Sequence, residues 1–131
     1  MGSDPSGDIY LTGYTISADM PVTSNAPVVQ WPGGINIFLT KLKPHVAGFS
    51  AYQYSTFFGG ATINSALAIS VGPDGTAYVV GSTGGELPTA PNATQAGFGG
   101  GASDGFLLIV TDSTQATQAS RAERAVVRKR E

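Results

Sequence analysis

The chain has 131 residues, 18 of them Gly and 8 Pro, with only 12% charged residues, a net charge of −2 and no cysteine. This length predicts one domain, and the lack of cysteine excludes disulfides and thiolate metal sites. A charged fraction about half the roughly 25% of ordinary domains, together with abundant Gly, predicts many short strands joined by tight turns rather than a helical bundle.

The first ten residues, "MGSDPSGDIY", carry no basic region followed by an apolar stretch, so they do not read as a secretory signal peptide. They begin like a myristoylation motif, with Ser6 in place, but Asp4 and Pro5 count against it. No run of 18 apolar residues occurs, so no membrane span is expected. Strands rich in β-branched and aromatic residues are predicted at 8–14, 35–42, 50–58, 64–71, 76–83 and 104–111. Turn signals separate them: "DPSG" before the first, "KPHVAG" before the third and "GPDG" before the fifth. In 64–71, Leu67, Ile69 and Val71 share one face and Ala66, Ala68 and Ser70 the other. Residues 113–131 form a separate basic segment. Its "ASRAERAVVRKRE" stretch has good helix formers, but an isolated helix of that length is marginal in water. The tail is therefore expected to be helical or disordered, outside a β-region spanning 1–112.

"SGDIYLTGYT" (Ser6–Thr15) matches "DGTAYVVGST" (Asp74–Thr83) at an offset of 68. Gly7, Tyr10, Gly13 and Thr15 meet Gly75, Tyr78, Gly81 and Thr83, and Asn36 and Phe38 later meet Asp104 and Phe106 at the same offset. Such order over about 35 residues marks a repeat, with units at about 6–60 and 61–112. "YSTFFGG" (Tyr54–Gly60) ends a strand of the first unit, and Gly59-Gly60 turns the chain into the next.

These motifs resemble a bacterial β-propeller repeat, the type named after seven-bladed propellers. The resemblance rests on Gly7–Thr15, on Met20-Pro21, on Asn36-Ile37-Phe38-Leu39-Thr40-Lys41-Leu42 and on Tyr54–Gly60, with Gly75–Thr83, Leu87-Pro88 and Asp104-Gly105-Phe106-Leu107 as the second copy. Asn36 stands where the family has Asp, Ile109 and Val110 where it has Lys-Leu, and no second "YST" motif follows. The resemblance implies an all-β fold of antiparallel propeller-type blades, an incomplete array of about two, in a secreted or surface-associated bacterial protein. It carries no catalytic residue over. With six expected strands, those before Asp8 and after Thr111 are missing. Exposed edges and apolar surface, with Val28, Val29, Phe57, Phe58 and Leu107 as candidates, then predict self-association or reliance on flanking blades, with edge-strand exchange as the expected geometry.

No residue is singled out as catalytic, cofactor-binding or metal-binding. His45 in "KPHVAG" reads as a loop residue rather than a general base, and one histidine makes no multi-histidine site. Asp4, Asp74 and Asp104 sit at turns. Oxygen ligands suit calcium, but no EF-hand loop exists, and Asx-type turn bonding is the reading adopted. Gly97–Gly105 lacks the ending of a phosphate-binding loop, Asn92-Ala93-Thr94 is a formal glycosylation sequon, and Trp31 reads as loop packing. The sequence thus points to a non-enzymatic repeat module, a scaffold or binding surface for a protein or glycan, with no nucleic-acid partner and no cofactor. The alternatives are a glycan-active enzyme whose site forms only in an assembled propeller, or a non-functional fragment of a longer array.

Overall fold

A computed structural model describes residues 1–26, 28–87, 97–111 and, for the backbone, 122–129. Among the described residues there are two four-stranded antiparallel sheets, not closed on themselves, and one short 3-10 turn at Gly48–Ala51. Sheet 1 runs in the order β1 (Gly2–Ser3), β2 (Ile9–Thr15), β3 (Asn36–Leu42) and β4 (Tyr52–Phe58). Sheet 2 runs β5 (Asn64–Val71), β6 (Ala77–Thr83), β7 (Asp104–Val110) and β8 (Ala122–Lys129). All six strands expected from sequence are present, and two more flank them.

The repeat is exact in register. The seven pairs from Ile9↔Leu42 to Thr15↔Asn36 in β2 and β3 become, on adding 68, the seven pairs from Ala77↔Val110 to Thr83↔Asp104 in β6 and β7. The turn entering each unit is likewise shared. Gly7 N–H donates to Asp4 O at 2.9 Å and Asp4 N–H to Asp8 O at 3.1 Å; Gly75 N–H donates to Gly72 O at 3.0 Å and Gly72 N–H to Thr76 O at 2.8 Å. The side-chain cap moves within that turn. Asp4 accepts from Ser6 N–H at 3.0 Å, whereas Asp74, two places further along, accepts from Thr76 N–H at 3.0 Å.

The two strands missing from the sequence reading are corrections. Gly2↔Tyr10 and Ser3↔Ile9 repeat Ser70↔Tyr78 and Val71↔Ala77, so β1 is the last two residues of a β5 equivalent. A two-residue strand carries no periodicity to read. The tail expectation fails in a different way. Ala122–Lys129 is neither helical nor disordered but pairs antiparallel with β7. Its register even repeats the irregularity of sheet 1: the shift between Lys41 and Leu42, which skips Gln53, recurs between Ile109 and Val110, which skips Glu123. Weak helix propensity loses to a row of unpaired N–H and C=O groups along β7, which a strand satisfies in full. Deleting residues 120–131 should therefore cost several kcal/mol, at roughly 1 kcal/mol per ladder hydrogen bond; a thermal melt of the truncated chain checks it, with a fall well beyond a few degrees expected.

The sheets stack face to face. One cluster of buried side chains joins Tyr10, Ile37, Leu39, Tyr54 and Phe58 of sheet 1 to Ala77, Val79, Phe106, Leu108 and Val110 of sheet 2. The Tyr10 hydroxyl donates across the junction to Gly75 O at 3.2 Å. At one end the chain crosses between sheets through Gly59, whose φ of +135° favours glycine. A Cβ there would also collide with Asn36 Oδ1 and Asn64 Nδ2. Asn64 N–H donates to Ile35 O at 2.8 Å and Ile35 N–H to Thr62 O at 3.1 Å, which stitches the crossing. Of the glycine pair closing "YSTFFGG", Gly59 is thus required by backbone conformation and by close packing together, and at Gly60 a Cβ would collide with the Glu86 side chain.

Phe57 and Phe58, expected as exposed surface, are buried, with 1% and 2% of their surface accessible. Phe58 turns into the junction. Cross-strand neighbour Phe38 pairs with Phe57, on the other face of the sheet. Thr23, Asn25 and Val28 bond along the outer edge of β4: Thr23 N–H donates to Ser55 O at 3.1 Å, Asn25 Nδ2 to Gln53 O at 3.2 Å and Phe57 N–H to Val28 O at 3.4 Å. That edge is blunted by its own chain, so it is not the open template that edge-strand exchange requires.

Candidate functional site

Three features face solvent with some chemical character. The first is a polar groove of about 330 Å³ lined by Asp4, Asp8, Lys41, Lys43, Gln53 and Asp74, among others. The entry turns of the two units supply the carboxylates, Asp8 standing immediately before β2, and β3 supplies Lys41, opposite Tyr10 in the ladder. Lys41 is almost wholly buried and its Nζ lies 3.4 Å from Asp4 Oδ2 and 3.4 Å from Asp8 Oδ2. The same ammonium sits 5.3 Å from the centroid of the Tyr10 ring.

Burial works to raise the Asp4 carboxyl, but the Asp8 backbone N–H and Lys41 outweigh it and hold it below the usual carboxylate range. The Thr76 backbone N–H lowers Asp74 as well. A glycosidase-type general acid needs the opposite shift, a carboxyl raised so that it carries a proton near neutral pH. Asp4 and Asp74 are shifted the other way, and Lys41 ties Asp4 and Asp8 into a buried ion cluster. Among the described residues, no group of three His, Asp or Glu side chains is placed to hold a metal ion.

The other two features are the outer faces of the sheets. On sheet 1, Leu11, Phe38, Thr40, Leu42, Met20 and Tyr52 line a groove of about 260 Å³ that is mostly apolar. On sheet 2, Tyr78 and Val80 are 41% and 43% exposed, and Leu107 and Ile109 are half-buried beside them. Alternation along the strands puts all four on one face, away from sheet 1. Both faces owe their apolar character to the repeat, because most of the repeated strands carry apolar or aromatic residues on both sides.

The residues marked in the sequence do not converge. His45 is exposed in the turn after β3 with φ +66°. Asp4 and Asp74 cap turns, and Asp104, fully buried, accepts from Gly99 N–H and so closes the glycine-rich loop before β7. Trp31 is half-buried in the loop before β3, Val29 is exposed and Val28 half-buried. Asn92–Thr94 lies outside the described residues. Sequence reasoning missed the ion cluster, although Lys41 standing inside an apolar strand where the second copy has Ile109 was a usable signal. No family model matches the chain, and no curated protein matches it either. No helix among the described residues is long and apolar enough to cross a membrane.

Proposed function

We propose that the chain is a non-enzymatic β-propeller repeat module, a structural scaffold whose working surfaces are the outer faces of its two sheets. The observation that carries this reading is the register identity: seven ladder pairs, the entry turn and the outer-strand irregularity all recur from one sheet to the next. A unit repeated to that degree buries its faces by stacking on its neighbours. The bacterial and surface-associated or secreted setting rests on the motif resemblance alone. The lowered carboxyls of the polar groove favour this reading over a glycan-cleaving one.

A tandem duplicate, two full chains joined by a flexible Gly/Ser linker, tests it. Stacking sheet 2 of the first copy on sheet 1 of the second adds a junction like the internal one. The duplicate should melt measurably higher than the single chain, because stability in repeat arrays grows with each added interface. Equal melting temperatures would overturn the scaffold reading.

A further inference from the structure

We propose that a second copy of this chain docks on it head to tail, the outer face of β2 and β3 in one copy covering the outer face of β6 and β7 in the next. This rests on the module reading above and names the partner of its open faces.

The two sheets do not meet through equivalent surfaces. Sheet 1 contributes the face that carries Tyr10, Leu39 and Lys41, and sheet 2 the face that carries Ala77, Phe106 and Val110; these line the two sides of the junction. Adding 68 to the first set gives Tyr78, Leu107 and Ile109, which lie on the open face of sheet 2. Subtracting 68 from the second gives Ile9, Phe38 and Leu42, which lie on the open face of sheet 1. Each open face is therefore the register equivalent of a surface already buried in this molecule, and the two open faces are equivalent to opposite sides of one junction. A surface of this kind is self-complementary only between different faces, so contact is heterologous and runs on into a ring or a filament.

The substitutions between copies point the same way. The charged residue of the internal junction, Lys41, becomes Ile109, and its partners Asp4 and Asp8 become Gly72 and Thr76. The whole ion cluster disappears together from the copy whose face is open. Its replacements are uncharged, and the one on the open face, Ile109, is apolar where a free surface would carry charge. Leu11 and Leu42 on the opposing face match Val79 and Val110 of the buried one in character. Covering such a surface is favoured by mass action as concentration rises.

Sedimentation of the full chain over a wide dilution series reads the outcome. The expected result is a mass that rises above 13.4 kDa with concentration. Leu11→Lys on sheet 1 and Tyr78→Lys on sheet 2 should each alone weaken association at least tenfold. Mixed, the two variants each keep one intact face, so they should form a species of two copies and stop there. A cooperative melt of each variant shows that it folds, and Leu42→Lys and Ile109→Lys replace any that does not. A wild-type chain that stays monomeric overturns the proposal, as does a mixture that fails to pair. So does association lost in Leu11→Lys but kept in Tyr78→Lys, which is a two-fold dimer. A monomer whose tandem duplicate nonetheless melts higher refutes the second copy as partner and leaves the module reading standing. A tandem with no gain removes both.

Discussion

Replacing Phe58 by Ala should destabilise the protein by about 3–5 kcal/mol, the usual cost of truncating a buried phenylalanine. Phe58 is 2% exposed, pairs with Ile37 across the ladder and sits in the cluster joining the sheets. Removing its ring leaves a cavity that the flanking chain cannot close. Asn36 and Asn64 are held against Gly59 on one side, and the β3 ladder fixes the backbone on the other. For a chain of this length the loss corresponds to roughly 10–20 °C in melting temperature. Val29→Ala, at a residue 48% exposed, serves as the control and should shift stability by no more than about 0.5 kcal/mol. A small effect of Phe58→Ala would mean that the sheets do not stack as described.

Lys41→Met should cost about 3 kcal/mol, at the low end of the roughly 3–5 kcal/mol for breaking a buried ion pair by removing one partner. Two carboxylates, Asp4 and Asp8, lose their shared ammonium, while the open groove beside them admits solvent and limits the damage. Acid titration separates this from a packing effect. The Asp4 carboxyl is lowered in the folded state, so its contribution is present in full above the unfolded value of 3.8 and is lost as pH falls through the lower folded value. The wild-type chain should hold a level stability down to about pH 5 and lose it below about pH 4. In Lys41→Met one cause of the lowering is gone, so the folded value moves back toward the unfolded one and the acid-dependent loss should be smaller, with a shallower limb. Denaturant melts across that range check both chains, and coincident acid limbs would show that the ion cluster contributes nothing.

Much of the architecture was legible in the sequence because the repeat is local and periodic. Tyr10 and Tyr78, Gly13 and Gly81, and Phe38 and Phe106 hold equivalent places in their ladders, as the offset of 68 requires. Gly13 and Gly81 each lie opposite a phenylalanine, and at Gly81 a Cβ would collide with the carbonyl of Ser65. At Gly81 that steric demand leaves glycine as the only choice, which makes the position visible in the chain itself. The turns were equally visible, since Asp4 and Asp74 bond to backbone two residues on.

Other features had no local signature. Phe57 and Phe58 stand together, and alternation places them on opposite faces of β4. Whether both are covered depends on sheet 2 on one side and on chain arriving from elsewhere on the other. The β8 strand has the composition of a weak helix, and only the free edge of β7 makes it a strand. Lys41, Asp4 and Asp8 are far apart in sequence or hidden in a turn, and become an ion cluster only where the entry turn folds back beside β3. The sequence determined the strand periods, the turns and the repeat, because backbone sterics and pleat act within a few residues. Tertiary structure alone decided which faces are buried, which edge recruits the tail and which two faces stay open, because each depends on which surface another sheet or segment covers.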